Sequence, residues 1–302
     1  MVLELKVKGE HDIYCCGSRV RISEKGVEVL SEPSVEQCPL HDALYGTERI
    51  DVDTVRRSVE MKISGFGFCC RKRAFDAEPV VAYGASEMMR VWIEKKLVDC
   101  AIVVSEGAGT VITNNGKLVQ AIGARLTGII RTSPIPEIID HIEANQGFIL
   151  SRKDAKIDQL EGLKRAMQLG FKRVAISVAG FQAKTISLIR DFSEDTQLEA
   201  IVFSVCNTCV AEGDLEYVAK ADIACASASM ILRQKVGSKA VLQLGVTIPV
   251  YALTEEGRRL ILAYLNESKD RLVVFRTSKM PYSIEGIGPK LRHTSGKQQR
   301  ET

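Results

Sequence analysis

Residues 174–209, VAISVAGFQAKTISLIRDFSEDTQLEAIVFSVCNTC, decide the fold. They read as an apolar strand, a turn at Gly180, an amphipathic helix and a second apolar strand that runs into the loop Cys206-Asn-Thr-Cys209. This order of elements is typical of a βαβ unit with parallel strands. Ligands of open parallel sheets bind beyond the carboxyl ends of the strands. We therefore expect a functional site at the cysteine-containing loop.

A second stretch, residues 80–109, repeats this order of elements. Its first strand turns at Gly84-Ala-Ser86 into a helix for which Ser86 is the predicted N-cap. Gly84 and Ser86 lie where a helix N-terminus can bind an anion. Its last strand ends in Gly107-Ala-Gly109, and the backbone N–H groups of such a turn can also hold an anion. The predicted cofactor-binding residues are therefore Gly84, Ser86, Gly107 and Gly109.

The first 75 residues differ from the rest, because they contain short alternating strands and a glycine turn, the pattern of a β-rich unit. Two α/β units follow in residues 76–150 and 151–282. Residues 283–302 are glycine-rich and basic, which predicts a flexible tail. The predicted fold class is α/β: a cysteine-containing, β-rich N-terminal unit followed by Rossmann-like βαβ units with a mostly parallel sheet.

Composition limits the classes of protein that the chain can belong to. It has 302 residues, with 41 Lys and Arg against 38 Asp and Glu, a formal net charge of +3. This balance does not indicate nucleic acid or an anionic membrane as a partner. No window approaches the ~18 consecutive apolar residues of a membrane span, and the first residues lack the apolar segment of a signal peptide. We expect a cytoplasmic protein, and its oligomeric state stays open.

Nine cysteines are the distinctive feature of the composition, because most of them occur in pairs. Without an export signal, paired cysteines favour metal binding or thiol chemistry over structural disulfides. Cys206 and Cys209 form a C-x-x-C, a spacing that can chelate zinc or one corner of an iron–sulfur cluster. Cys225, one strand further on, and the C-x-x-H of Cys38 and His41 are the predicted partner ligands. The C-x-x-C could instead cycle as a dithiol or be structural.

Two other pairs, Cys15-Cys16 and Cys69-Cys70, consist of adjacent residues. Successive residues of a strand point to opposite faces, so we expect one cysteine of each pair to face the core and the other a site. The basic run Arg71-Lys72-Arg73 next to Cys70 predicts a lowered thiol pKa or, alternatively, an ordinary basic surface loop.

Four segments in a fixed order carry a family resemblance: Cys15-Cys-Gly17, Cys38-Pro-Leu-His-Asp-Ala-Leu-Tyr-Gly46, Ser105-Glu-Gly-Ala-Gly109 and Cys206-Asn-Thr-Cys209. With them the chain resembles methanogenesis marker protein 8, a family of methanogenic archaea with no established activity. The resemblance covers nearly the whole chain except the basic tail. It implies an anaerobic cytoplasm, suited to an oxygen-sensitive cluster, and a role linked to methane formation. It implies no catalytic residues, because none is established for the family.

The sequence supports three hypotheses about function. In the first, the protein is a methanogenesis-linked accessory protein that binds zinc or an iron–sulfur cluster through its cysteines and helps to assemble or activate a methanogenic enzyme or cofactor. Its partners would be that enzyme or its assembly factors. In the second, it is a thiol-dependent or reductive small-molecule enzyme with its ligand at the carboxyl edge of the sheet. In the third, it is a non-catalytic adaptor with structural cysteines. No catalytic residue can be named, and the sequence does not decide whether the protein is an enzyme.

Overall fold

The computed structural model describes residues 6–125, 127–269 and 271–292, which form fourteen strands and ten α-helices. The strands are β1 Glu10–Cys15, β2 Ser18–Ser23, β3 Gly26–Val29, β4 Val35–Gln37, β5 Cys100–Ser105, β6 Gly109–Thr113, β7 Gly128–Thr132, β8 Gly147–Ile149, β9 Arg173–Ala179, β10 Glu199–Val205, β11 Ile223–Cys225, β12 Leu242–Leu244, β13 Val250–Ala252 and β14 Lys290–Leu291. The helices are α1 Pro39–Tyr45, α2 Val52–Phe66, α3 Ala85–Glu94, α4 Gly116–Gly123, α5 Pro136–Ala144, α6 Gln159–Gln168, α7 Lys184–Thr196, α8 Leu215–Val218, α9 Met230–Lys235 and α10 Glu255–Glu267. Within this described part, no helix has both the length and the apolar character that a bilayer span requires.

Four antiparallel strands form the N-terminal sheet, in the order β3-β2-β1-β7. The alternation of its sequence buries Ile13, Val20 and Ile22 in one core cluster with Val55 and Val59 of helix α2. Strand β7 comes from well beyond the first 75 residues, so the β-rich unit is completed by a distant part of the chain. Strand β14, within the predicted tail, pairs with β4. The remainder of that tail, residues 293–302, and residues 1–5 of the predicted N-terminal unit lie outside the described residues.

An eight-stranded sheet forms the rest of the fold, in the order β12-β13-β11-β10-β9-β5-β6-β8. Strands β5, β9, β10 and β11 are parallel, as the βαβ pattern predicts. The prediction of a mostly parallel sheet is wrong at both edges, where every pairing is antiparallel. At one edge the reason is local, because a tight turn between β5 and β6 returns the chain antiparallel where the sequence suggests a ligand loop. Both predicted α/β units contribute strands to this one sheet.

Helices cover both faces of the large sheet, which explains the continuous apolar runs in its strands. Along β5, Ala101 and Val103 pack on the side of α3, α4, α5 and α10, and Cys100 and Ile102 pack on the side of α6 and α7. The two faces alternate with the period of two that a strand imposes. A double-sided sheet leaves its strand ends as the place where a concave site can form.

The start of helix α3 corrects the predicted cap. Gly84, not Ser86, occupies the N-cap position, and the Ser86 hydroxyl donates to Glu87 Oε2 at 2.9 Å. The buried Glu87 carboxylate also accepts hydrogen bonds from the backbone N–H groups of Val80 and Val81. Glu87 thereby fixes the segment that precedes the helix. The Ser86 hydroxyl is bonded to Glu87 and does not cap the helix.

Candidate functional site

A cavity of about 730 Å³ lies at the carboxyl ends of the four parallel strands. Val104 of β5, Ala179 of β9, Val205 of β10 and Cys225 of β11 contribute to its wall. Residues of β1, α1 and α2 from the N-terminal unit complete the wall. Small-molecule sites commonly have this size and this position in α/β sheets.

Most of the thiols of the protein face this one space, which we call the cysteine-lined cavity. Six of the nine cysteines line it: Cys15, Cys16, Cys38, Cys206, Cys209 and Cys225. The remaining three are buried in the hydrophobic clusters: Cys69, Cys70 and Cys100. The five predicted metal ligands, including His41, all belong to the cavity wall.

The loops after β10 and β11 are held together by Asn207, a residue that the sequence pattern did not single out. Its side-chain amide donates to the carbonyl of Cys225 at 2.8 Å and its Oδ1 accepts from the Ser204 hydroxyl at 3.0 Å. Its backbone N–H donates to Ser227 Oγ at 3.1 Å. Cys206 enters this arrangement with a left-handed backbone, φ 53°. Because Asn207 joins both loops, Cys206 and Cys225 come to the same part of the cavity wall.

The C-x-x-C loop also contacts the N-terminal unit. The Cys209 thiol donates to the carbonyl of Gly17 at 3.6 Å, next to the adjacent pair of cysteines. Gly128, the first residue of β7, lies beside Cys206, since a Cβ atom there would be in ordinary van der Waals contact with Cys206 Sγ at 3.5 Å. Both halves of the molecule therefore contribute to the cavity wall.

Cys15 and Cys16 depart from the strand-based expectation, because both side chains line the cavity. Strand β1 ends at Cys15, and Cys16 takes the left-handed conformation, φ 52°, in the turn that leads to β2. The alternation of side chains stops where the strand stops. Both residues also pack against the core cluster of the N-terminal unit, so the predicted division into one core-facing and one site-facing cysteine is not observed.

Lys62 contributes a positive charge to the cavity wall. The sequence analysis did not identify this residue. It lies in the buried stripe of α2 formed by Val55, Ser58, Val59 and Lys62. Its Nζ donates to Thr127 Oγ1 at 2.9 Å, and its side chain lines the cavity. A lysine at a stripe position otherwise occupied by small or apolar residues is the signal that could have identified it.

The thiol pair next to Lys62 differs electrostatically from the thiols at the sheet edge. The neighbouring Cys16 thiol and the positive charge of Lys62 lower the pKa of Cys15 against the opposing effect of burial. The neighbouring Cys15 thiol, followed by burial, raises the pKa of Cys16.

At the sheet edge the environment keeps the thiols protonated. Burial, with a contribution from Cys225, raises the pKa of Cys206 to about 12. Burial also raises the pKa of Cys209 and of Cys225. Burial therefore favours the neutral form of these three thiols, and a metal ion would have to displace their protons.

Cys38 and His41 lie at the start of α1, where Cys38 is the N-cap residue. His41 Nδ1 shares a hydrogen bond of 2.6 Å with Thr47 Oγ1, whereas its buried Nε2 has no hydrogen-bond partner among the described residues. Burial, followed by the charge of Lys62, lowers the pKa of His41 to about 4. Within the described residues, no group of three or more His, Cys, Asp or Glu side chains is arranged to hold a metal ion. The predicted ligands border one cavity without forming a coordination shell.

The predicted glycine sites fall in two places. Gly84 and Ser86 line the cavity, whereas Gly107 and Gly109 are absent from its wall as described. The backbone N–H of Gly107 already donates to Thr132 Oγ1 at 2.7 Å. At Gly109, φ is 72° and a Cβ atom would lie 2.1 Å from the carbonyl of Ala155. Close packing and a positive φ account for the glycines in this turn.

The fold and the cavity define an α/β protein with a cavity bordered by six cysteines at the carboxyl ends of its parallel strands. A family model described as an uncharacterized protein conserved in archaea (DUF2099) matches residues 11–266, and the chain belongs to this family. The chain is also 34% identical over 247 residues to uncharacterized protein MJ0054 of Methanocaldococcus jannaschii. The aligned region covers 81% of this chain and 86% of that protein. These similarities establish an archaeal family, while the link to methane formation stays a prediction.

Proposed function

We propose that the protein binds a small organic molecule in the cysteine-lined cavity and acts on it through the thiolate of Cys15. The observation that carries the proposal is the position of Cys15 in the wall of a large cavity that Lys62 also lines, where the positive charge of Lys62 favours the ionised thiol. A lowered pKa enlarges the ionised fraction of a thiol at pH 7. The thiolate is the nucleophilic form of the side chain.

The polar and the apolar residues around Cys15 would have different roles in such a site. Lys62 holds negative charge at the sulfur, and Thr127 fixes the Lys62 ammonium by accepting its hydrogen bond. Phe181, Met89 and Val103 supply apolar wall against which the organic part of a ligand can pack. Apolar walls with a few convergent polar groups are typical of small-molecule sites.

Limited alkylation tests this proposal directly. The full-length protein, reduced and kept anaerobic, is treated at pH 7 with iodoacetamide below one equivalent, and the modified cysteine is located by peptide mapping. We expect Cys15 to be modified before Cys209, although Cys209 is the most exposed of the cavity thiols. Cys209→Ser is the matched control and keeps this early modification, whereas Cys15→Ser loses it. Modification of Cys209 ahead of Cys15 in the folded wild-type protein would contradict the proposal.

A second candidate function is the binding of zinc or an iron–sulfur cluster by Cys206, Cys209, Cys225, Cys38 and His41. The observation that favours it is the arrival of all five side chains at one cavity wall, with His41 Nε2 buried and unpartnered among the described residues. Thiolate and imidazole ligands suit zinc, and thiolates suit iron–sulfur clusters. The resemblance to methanogenesis marker protein 8 connects this candidate with an accessory role for a methanogenic enzyme or its cofactor.

Metal analysis separates the second candidate from the first. Protein purified under strict anaerobiosis is assayed for zinc, iron and acid-labile sulfide, and its visible absorption spectrum is recorded. If the candidate is correct, near-stoichiometric metal is present and is lost in the double variant Cys206→Ser, Cys209→Ser, while Cys15→Ser retains it. Folded, fully reduced wild-type protein without metal or sulfide would remove this candidate and leave the first untouched.

A further inference from the structure

We infer that the ligand of the cysteine-lined cavity is an amphipathic anion, whose anionic group binds at Lys62 and His41 and whose apolar part packs against the strand ends of the large sheet. This inference rests on the proposed function, because it names the class of molecule that the same cavity binds. It assigns Lys62 and His41 as the residues that recognise the anionic end of that molecule.

The charged side chains of the cavity wall favour an anion over a cation. Among the described residues of the wall, Lys62 and Glu87 are the only Lys, Arg, Asp or Glu residues. The Glu87 carboxylate already accepts hydrogen bonds from two backbone N–H groups, from the Ser86 hydroxyl and from the Gln120 side-chain amide. A cationic ligand would therefore have to compete with this internal network, whereas an anionic ligand is attracted by the charge of Lys62.

Lys62 is held in a position where its charge acts strongly on a ligand. The residue is only 4% exposed, although its side chain lines the cavity. Its Nζ donates to Thr127 Oγ1 at 2.9 Å, which fixes the ammonium group at the wall. Solvent screens a buried charge much less than a surface charge, so an anion in the cavity gains more from Lys62 than it would from an exposed lysine.

His41 supplies a hydrogen-bonding atom that the described residues leave unused. Its Nδ1 shares a hydrogen bond of 2.6 Å with Thr47 Oγ1, and its ring packs on Tyr45 with the centroids 4.8 Å apart, so the ring orientation is fixed. Nε2 is buried and has no partner among the described residues. A buried polar atom without a partner costs free energy, which a ligand recovers by bonding to it. When the Thr47 hydroxyl donates to Nδ1, Nε2 carries the proton and can donate to an anion.

The large sheet supplies the surface for the apolar part of the ligand. Val103 of β5, Val205 of β10 and Val250 of β13 line the cavity, together with Phe181, which follows β9. Lys62 and His41, by contrast, come from helices α2 and α1 of the N-terminal unit. A cavity with apolar surface on one unit and a cation with a hydrogen-bonding atom on the other selects a molecule that has one apolar part and one anionic group.

The test compares three probes of equal chain length that differ in charge: sodium octanoate, 1-octanol and octylamine. Their binding to the reduced, anaerobic, full-length protein is measured by isothermal titration calorimetry at pH 7, where octanoate is anionic and octylamine is cationic. We expect octanoate to bind about tenfold more tightly than 1-octanol, because only octanoate forms charge-assisted hydrogen bonds with the site. Octylamine should bind most weakly. This comparison uses wild-type protein alone and does not depend on how a variant folds.

Two pairs of variants locate the anionic group. Lys62→Met keeps the chain length and removes the charge, so it should weaken octanoate binding by about tenfold and change 1-octanol binding by no more than about twofold. Lys62→Arg, which keeps the charge, should retain most of the octanoate affinity. His41→Leu should weaken octanoate binding several-fold. His141→Leu is the matched control, because His141 stacks on Phe75 and is not among the residues of the wall.

The outcomes separate this inference from the proposed function. Equal affinities of the wild-type protein for octanoate and 1-octanol, or tighter binding of octylamine, would overturn the inference. Octanoate binding that is unchanged in Lys62→Met and in His41→Leu would overturn it as well. Failure of all three probes to bind folded protein would overturn the amphipathic ligand, while early alkylation of Cys15 would still support the nucleophile. Slow alkylation of Cys15 in protein that prefers octanoate would overturn the proposed function and leave the ligand class standing.

Discussion

The two pairs of adjacent cysteines belong to the same N-terminal unit and each contains one left-handed residue, yet their environments differ. In each pair one residue is left-handed, Cys16 with φ 52° and Cys69 with φ 60°. Cys15 and Cys16 line the cysteine-lined cavity, whereas Cys69 and Cys70 are buried in the core of the N-terminal unit. The motif alone does not determine thiol chemistry; the packing around it does.

The basic run after Cys70 shows why charge in the sequence was misleading. The expected lowering of the Cys70 pKa is wrong, because burial raises the pKa of this thiol to about 11. Burial likewise raises the pKa of Cys69. Arg73, the nearest part of the basic run to the core, pairs with the buried Glu106 at 2.7 Å. Its charge is thus balanced inside the protein, and Cys70 also donates to the Phe68 carbonyl. The alternative expectation of a basic surface loop is confirmed for Arg71 and Lys72, which are exposed, and is wrong for Arg73, which is buried.

The largest expected difference between the pairs is in alkylation rate. At pH 7 a thiol with a lowered pKa has a much larger thiolate fraction than one whose pKa is raised to about 11, and about tenfold is a conservative lower bound on the resulting rate ratio. We expect iodoacetamide to modify Cys15 at least this much faster than Cys70 in the folded protein. Time-resolved peptide mapping measures both rates, and denatured protein, in which the two rates should converge, is the control. Equal rates in the folded state would break the comparison.

A serine substitution should destabilise the fold more in the buried pair than in the cavity pair. Cys69→Ser places a hydroxyl in a fully buried position and should lower the free energy of unfolding by about 1–3 kcal/mol. Cys15→Ser should lower it by less than about 1 kcal/mol, because the Ser58 hydroxyl and Lys62 offer the new hydroxyl polar neighbours. Urea denaturation under reducing conditions measures both values. A larger loss for Cys15→Ser would make the cavity pair structural and would count against its proposed role.

Removal of the Lys62 charge should have the smallest of the three effects. It tests most directly why the thiols of the two pairs differ in pKa. Because Lys62 lowers the pKa of Cys15, its thiolate persists to lower pH than that of an ordinary cysteine and is lost as the pH falls through the lowered midpoint. Lys62→Met should raise this midpoint by about one unit and slow alkylation at pH 6 by several-fold, up to about tenfold. Lys62→Arg, which keeps the charge, is the matched control. The measurement is the rate of Cys15 alkylation from pH 5 to 9, roughly the range over which a thiol of this kind titrates. An unchanged midpoint in Lys62→Met would exclude Lys62 as the source of activation.

Short-range patterns in the sequence predict the parts of this molecule that depend on neighbouring residues. The apolar runs and glycine turns indicate the parallel strands β5, β9, β10 and β11, and they place the C-x-x-C loop at the carboxyl edge of the sheet. They do not indicate the antiparallel edges, because pairing between distant segments leaves no local pattern. Lys62 was missed because a lysine on a helix is ordinarily solvent-exposed, and its burial depends on the closure of the N-terminal unit over the sheet. The orientation of Cys16 was missed because it depends on one φ angle at a strand end.

The pairing of β1 with β7 affects when the site forms during folding. His11 lies opposite Thr132, and Gln37 of β4 lies opposite Lys290 of β14, near the other end of the chain. Contacts between such distant segments form slowly, because a long loop must close before they contribute. A ribosome adds ~5–20 residues per second, so the N-terminal thiols emerge well before the strands that enclose them. The cavity is therefore among the last parts of the molecule to assemble, and a chain truncated before β14 leaves β4, which leads directly to Cys38, without its partner strand.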